Sequence, residues 1–254
     1  MFANPAGIAA IHHLAVEGSY EPYLAGTAYT AAAAALRTGH VAWGIGAQAL
    51  DYGSESVVVP DPATGGRRGI ATGGTFSSTD VLAMSTLVYR RGLIAAGVAA
   101  KYARQQIGGW SADAWAGDAG LAVAVFDIVA LGLSVQNIGG DFGSGARLPH
   151  RTRAGFTMNY VDPEGTYRLL TTLEGQWLAG HPAELVAGLE GGVVTGGVGL
   201  VGRLGYVTRS PTSAASRWTV GGGVELHRLH LDYAYQILAL LGGGTHRLGI
   251  RWAP

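Results

Sequence analysis

The sequence predicts an all-β fold, a single closed, antiparallel, up-and-down transmembrane barrel of about 14 strands. Three observations predict it. Apolar and polar residues alternate with period two along most of the chain, as on strands with two unlike faces. Short and long connectors between these segments largely alternate, as the two rims of an outer-membrane barrel do. Apolar residues make up 48% of the chain and charged ones only 13%, about half the charged share of an ordinary soluble domain.

The same composition excludes other classes. The 254 residues carry 17 basic and 17 acidic side chains, so a nucleic-acid partner, which needs a basic excess, is not expected. With no cysteine there is no disulfide framework, thiolate chemistry or Cys-based zinc site. The 42 glycines lack the strict period of three of collagen. High charge with low hydrophobicity, the mark of disorder, is also missing.

The elements follow in order. Residues 1–11 show no alternation and form an N-terminal segment, placed in the lumen or on the periplasmic side; residues 12–254 form the barrel. Strands are read near 12–20, 24–36, 39–51, 74–89, 92–106, 114–126 and 128–137. Others follow near 150–161, 166–178, 182–191, 196–208, 216–226, 228–237 and 244–252. The alternation is plainest from Arg228 to Gln236, where Leu229, Leu231, Tyr233 and Tyr235 oppose Arg228, His230, Asp232 and Gln236. From Tyr167 to Trp177, Tyr167, Leu169, Leu173 and Trp177 oppose Arg168, Thr172, Glu174 and Gln176. The run Ala31 to Ala35 also suits a helix. Short connectors fall around Thr38, Arg90-Arg91, Asp127, Asp162 to Gly165 and His227. Long ones are Tyr52–Gly73, Ile107–Asp113, Ile138–Pro149 and Arg209–Ala215. An even strand number puts both termini on the periplasmic side.

A spanning helix is not expected. The best apolar run, Leu121 to Val135, carries Asp127 at its middle and falls short of the roughly 20 residues required. Met1 to Pro5 lacks the basic and apolar regions of a secretory signal. That leaves either a cytoplasmic protein or a true start upstream of Met1.

Lipid as the outer solvent explains the distribution of side chains. Aromatics fall near strand ends, and Tyr29, Tyr102, Trp177, Tyr206 and Trp252 are assigned to a girdle, with Tyr20, Tyr89 and Tyr160. Inward glycines at Gly44, Gly46, Gly132, Gly221 and Gly223 leave room for curvature or for side chains packing across the lumen. Arg168, Glu174, Arg203, Glu225, Arg228, Asp232 and Arg247 are read as a lumen charge network, with Glu17, Lys101, Arg153, Glu190, Arg217 and Arg251 also inward. Buried charges persist only when paired, and the structural reading pairs Glu225 with Arg228 and Asp232 with Arg247; the alternative is a wet lumen that passes a ligand or binds a peptide.

No motif carries catalysis, and neither a cofactor nor a metal is expected. Gly197 to Gly202 matches GxGxxG, but a strand pattern follows it where a dinucleotide site needs a helix. His12 and His13 would point to opposite faces of a strand and cannot easily share one metal.

Several segments nevertheless resemble a known family. Asn4-Pro5-Ala6-Gly7-Ile8-Ala9 is similar to the "NPAGLA" segment near the start of FadL-superfamily outer-membrane proteins. Gly132 to Gly139 resembles a "GLAVQNLG" strand and turn, and Leu231-Asp232-Tyr233-Ala234-Tyr235 with His246-Arg247-Leu248 resembles a "lDYAY…HrlS" ending. Leu148-Pro149, Arg153 to Gly155, Gly188 to Glu190 and Arg203 to Tyr206 add weaker matches in the same order. The motif residues are Asn4, Pro5, Gly7, Gln136, Asn137, Gly139, Asp232 and Tyr233. Together they resemble the PorV/PorQ branch. The resemblance implies a 14-stranded FadL-type barrel in the bacterial outer membrane, with a signal peptide upstream of Met1. It further implies a non-enzymatic accessory or shuttle role in type IX secretion. The partners would be outer-membrane lipid, secretion-translocon subunits and secreted cargo, met through the loops Tyr52–Gly73 and Ile138–Pro149. The alternatives are a FadL-like channel for hydrophobic small molecules and a structural component of an envelope complex. Two departures accompany the match: the leader and the glycine-rich stretch that precede NPAG in the family are missing, and the chain ends Trp252-Ala253-Pro254 rather than on an aromatic.

Overall fold

The computed structural model describes residues 1–23, 26–125, 128–143, 145–161, 166–209, 215–238 and 243–254. The chain forms a closed barrel of 14 antiparallel strands in which each strand pairs with its sequence neighbours and β1 closes on β14. In order these are β1 (Leu14–Pro22), β2 (Ala28–Thr38), β3 (Val41–Pro60), β4 (Gly69–Arg91), β5 (Ile94–Ile107), β6 (Trp110–Val125) and β7 (Val129–Gly139). The circuit is completed by β8 (Arg151–Asn159), β9 (Tyr167–Leu178), β10 (Glu184–Thr195), β11 (Val198–Val207), β12 (Trp218–Leu226), β13 (Leu229–Leu238) and β14 (Gly243–Trp252). A 3-10 helix, Pro5–Ala10, precedes β1. Ala31 to Ala35 lie in β2, where the alanines alternate between the two faces. Local propensity yields there to pairing on both sides.

The two rims differ. At one, β2–β3, β4–β5, β10–β11 and β12–β13 are joined by two-residue turns. These turns need positive φ to match the twist of the strands, which Gly39, Gly92 and Gly196 supply and His227 adopts at φ 55°. The first strand starts and the last one ends at this rim, and residues 1–10 turn back from it into the lumen. The connectors Asp127 and Asp162 to Gly165 lie outside the described residues. At the other rim two expected loops are corrected. Tyr52–Gly73 is mostly a continuation of β3 and β4 into a long hairpin, with a 3-10 turn at Pro62–Thr64. Ile107–Asp113 is a tight turn at Gly108 and Gly109, with the Gly108 amide donating to the Ser77 carbonyl at 2.9 Å. In both places polar and glycine residues read as loop, yet ladder pairing with a long neighbour carries the strand on. The connector after β7 is a true loop, crossed by one Asp141–Arg147 bridge.

Pairing partners share a face, so the ladders sort every strand residue into lumen or exterior. The exterior is apolar and open: Leu36, Ile45, Leu87, Val98, Leu133, Leu189, Leu204, Val220, Leu231 and Ile250 are all exposed. From β7 to β14 no described outward strand position holds Arg, Lys, Asp or Glu. The outward charges that do occur, Asp51, Arg91, Arg104 and Asp113, sit near strand ends, and Arg104 lies opposite Asp113. In water so large an apolar surface would drive association. In a bilayer it is the required solvent-matched face, and closure of the ladder leaves no unpaired edge across the hydrocarbon. Among the described residues no helix is long and apolar enough to cross a membrane.

Candidate functional site

The lumen divides into two unlike halves. Against β2 to β7 the inward residues are small, chiefly Ala35, Ala42, Ala95, Ala99, Ala103, Ala114 and Ala116, all buried. The space they leave is filled by the N-terminal segment. Ala6, Ile8 and Ala9 pack on Ala35, Ala42, Val88 and Ala95 as one apolar cluster. The 3-10 turn forms because Asn4 caps it, its Oδ1 accepting from the Ala6 amide at 2.9 Å, while Pro5 needs no donor at the first position.

Side chains then fasten this plug to the wall. Asn4 Nδ2 donates to the carbonyls of Leu121 and Leu133, each at 3.2 Å. Ser134 Oγ donates to the Ala3 carbonyl at 2.9 Å and Gln136 Nε2 to that of Phe2 at 2.6 Å. From the other side Arg37 and Arg90 donate to the Ala9 carbonyl at 3.3 and 3.2 Å. Two glycines make room for it. A Cβ at Gly120 would overlap Asn4 Oδ1, and one at Gly97 would come within 2.9 Å of the Ala6 nitrogen. The motif residues Asn4 and Pro5 thus sit inside the barrel and Gln136 holds the same segment at Phe2, while Gly7 faces open space.

Asn137 and Gly139 have a different place. Asn137 adopts φ 61° beside a register shift in β6. Its amide donates to Asp118 Oδ1 at 2.9 Å, and its side chain accepts from Lys101 and donates to the Pro149 carbonyl. Lys101 and Asp118 form an ion pair at 2.7 Å, 5% and 3% exposed. Sequence reasoning missed Asp118. The signal was the single lysine facing inward, which had to find a carboxylate.

Around β8 to β14 the described residues leave the lumen unfilled beyond the edge of the N-terminal segment, and glycines and charges line it. Arg203 Nε donates to Glu190 Oε2 at 2.6 Å, and its Nη1 to Asp232 Oδ1. Arg153 meets Glu174 at 3.5 Å, Gln176 donates to the same oxygen at 2.6 Å, and Glu225 meets Arg168 at 3.9 Å and His230 at 3.7 Å. Both expected pairs are corrected. Arg228 lies in the β12–β13 turn, exposed and away from the lumen wall. Arg247 donates to Ser19 Oγ at 3.1 Å and lies over the Tyr29 ring at 5.7 Å. Glu190–Arg203, Arg153–Glu174 and Glu225–His230 join adjacent strands, whereas Arg203–Asp232 and Arg168–Glu225 reach over one and two intervening strands, which a hairpin count does not anticipate.

Tyr29 is likewise corrected: it pairs with Glu21 and Leu50 and faces inward, outside any girdle. Tyr102, Trp177, Tyr206 and Trp252 face outward. Tyr102 stacks with Trp115 at 5.2 Å and Tyr206 with Trp218 at 4.8 Å near the long-loop rim. Trp252 lies at the opposite rim. Tyr233 also faces outward, its hydroxyl 2.7 Å from His246 Nδ1, whereas its motif neighbour Asp232 is held by Arg203. Gly197 lies in the β10–β11 turn with strand on both sides. Among the described residues no cluster of His, Asp and Glu suits a metal.

The unplugged half encloses a cavity of about 390 Å³, bounded by Leu170, Gly188, Arg203, Gly205, Gly221 and Ala234. Its lumen-facing wall is made of glycines, Leu170, Ala234, Thr172 and Thr219, together with Glu190, Asp232, Arg203 and Arg247, two charges of each sign. Chemically it can hold a small apolar molecule without leaving a charge unpaired.

No protein-family model matches the sequence, and no curated protein is similar to it. Solved structures do resemble the fold. The toluene transporter TodX of Pseudomonas putida aligns with TM-score 0.63 at 11% identity, over 98% of this chain and 91% of that one. The toluene transporter TbuX of Ralstonia pickettii aligns with TM-score 0.64 at 12% identity, over 99% and 92%. A Pseudomonas aeruginosa FadL homologue gives 0.60 at 12%, over 99% and 93%. At such identities the likeness establishes a FadL-like barrel fold.

Proposed function

We propose that the chain is a non-enzymatic outer-membrane channel that admits small hydrophobic molecules, with the long-loop rim outside and the plugged rim toward the periplasm. The observation that carries this reading is the half-filled lumen: the N-terminal segment occupies one side, yet a cavity of about 390 Å³, walled by glycines, Leu170, Ala234 and charges that balance one another, stays open beside it. A porin would be wet throughout and a purely structural barrel filled throughout. The FadL-like fold, shared with barrels described as toluene transporters, supports the same conclusion. Radiolabelled toluene accumulation in Gram-negative cells producing the chain is the test. Uptake above that of cells with an empty vector is expected, and equality would overturn the reading.

The secretion-accessory role has one observation of its own. The β3–β4 hairpin stands past the barrel and exposes Val58, Val59, Ile70 and Phe76. Replacing residues 54–77 by a short turn and recovering the tagged protein from detergent extracts tests it. Loss of co-purifying secretion subunits on removal of the hairpin would favour that role, whereas recovery of both forms alone would exclude it.

A further inference from the structure

The cavity in the open half does not stand alone. A second cavity, of about 260 Å³, shares Arg203, Asp232, Arg247 and Gly249 with it. A third, of about 390 Å³, shares Glu17 and Arg251 with the second and reaches His12 and Pro254 at the short-turn rim. On the far side of Arg203 a smaller one, of about 240 Å³, shares Leu170 and Glu190 with the first and His230 and Arg251 with the third. By contrast, the cavity bounded by Asn4, Ser134, Arg153 and Glu174 touches the first only at Thr172 and shares no residue with the third.

We infer that the passenger crosses beside the plug, along the inner face of β13, β14 and β1, with Arg203 dividing the way and Arg251 at its exit. The inference rests on the transport reading and names the path that reading leaves open. Displacing the plug would break the hydrogen bonds of Asn4, Ser134, Gln136, Arg37 and Arg90 together and expose its apolar cluster. Along β14 none of these is disturbed. Gly249 and Ser19 set the width of the first junction, and Arg247, tied there by one hydroxyl and one ring face, can swing aside at small cost. Arg203 differs: bonded to Glu190 and Asp232 at once, it stays and keeps the charges of the waist neutral toward an apolar passenger.

The experiment compares toluene uptake in cells producing three variants. A Cβ at Gly249 would meet Asp232 Cβ at 3.5 Å and no backbone atom nearer than 3.9 Å, so a side chain can start there, and the ring of Gly249→Trp fills the junction. Ser19→Phe narrows the same junction from the neighbouring strand, where Ser19 pairs with Gly249, and heat-modifiable migration on gels checks that each barrel is folded. The third variant pins the plug: the chain has no cysteine, so Ala3→Cys with Ser134→Cys gives one disulfide on oxidation. Expected are a roughly tenfold fall in uptake for folded Gly249→Trp or Ser19→Phe, since pore width sets passage, and unchanged uptake for the oxidised double cysteine. Unchanged uptake in both narrowed variants, or its loss on oxidation, would overturn the route while leaving transport intact. No uptake by the unaltered chain would overturn the transport reading, and the route with it.

Discussion

The two halves of the lumen solve one problem in opposite ways. Strands β2 to β7 present alanines and close over a segment of the chain's own N-terminus, giving a dry, packed interior. Strands β8 to β14 present glycines and charged side chains that reach across to one another and leave space between them. Both use small wall residues, yet only one side is filled. The difference teaches that side-chain size on the wall does not decide whether a barrel is open; what is threaded through it does. The buried ion pair obeys the same contrast. Lys101–Asp118, on the plugged side, is almost fully buried, whereas Arg203, Glu190 and Asp232 keep roughly a quarter to a third of their side chains accessible.

The sharpest way to break this contrast is to enlarge one glycine on each side. Gly120→Val should expel the plug, costing about 3 kcal/mol by overpacking, while Gly249→Ala should stay within about 0.5 kcal/mol. Denaturant unfolding in detergent, with proteolysis of the N-terminus as a second readout, measures both, and equal effects would dissolve the distinction. Next in size, Lys101→Met alone should cost about 3–5 kcal/mol, because Asp118 is left charged and buried, with most of that regained in Lys101→Met/Asp118→Leu. Failure of the double variant to recover would mean the pair matters for something beyond neutrality. Arg203→Met, in the more accessible half, should cost only about 1 kcal/mol after solvent screening, and a loss as large as that at Lys101 would contradict the picture of an open, hydrated side.

The smallest expected effect lies outside the membrane. In the loop after β7, the Gly143 amide and then Arg147 hold the Asp141 carboxyl below its ordinary value. A depressed folded pKa contributes order that is present above the unfolded value and lost as pH falls through the folded one. Hydrogen exchange at Gly143, corrected for intrinsic pH dependence, should therefore lose protection only at acid pH, and Asp141→Asn should flatten that profile.

Much of the barrel was legible in the residues. The period-two alternation located all 14 strands, since a lipid-facing wall must be apolar at every second position whatever its neighbours are. What it could not supply was length beyond the hydrocarbon. In β3 and β4 the exposed extension has no apolar constraint, so Tyr52 to Gly73 looks like loop although the two strands pair there. Inward and outward were separable for Tyr102 and Trp177 but not for Tyr29, because an aromatic suits either a headgroup or an arginine's face. Charge partners were the least legible part. Arg203 finds Glu190 directly opposite it on β10 and Asp232 on β13, beyond the glycines of β12, a reach that no adjacent-strand pattern encodes.

The sequence by itself determined a wall: its number of crossings, its greasy outer face and its mildly polar inner one, because those follow from local alternation against a fixed solvent. Only the tertiary structure decided what fills the inside. Whether residues 1–11 thread the lumen, which strands they lean on and which half stays empty depend on contacts between segments more than 100 residues apart, such as Asn4 with Leu121 and Leu133. No local pattern encodes such contacts, because the closed circuit alone brings their partners within reach.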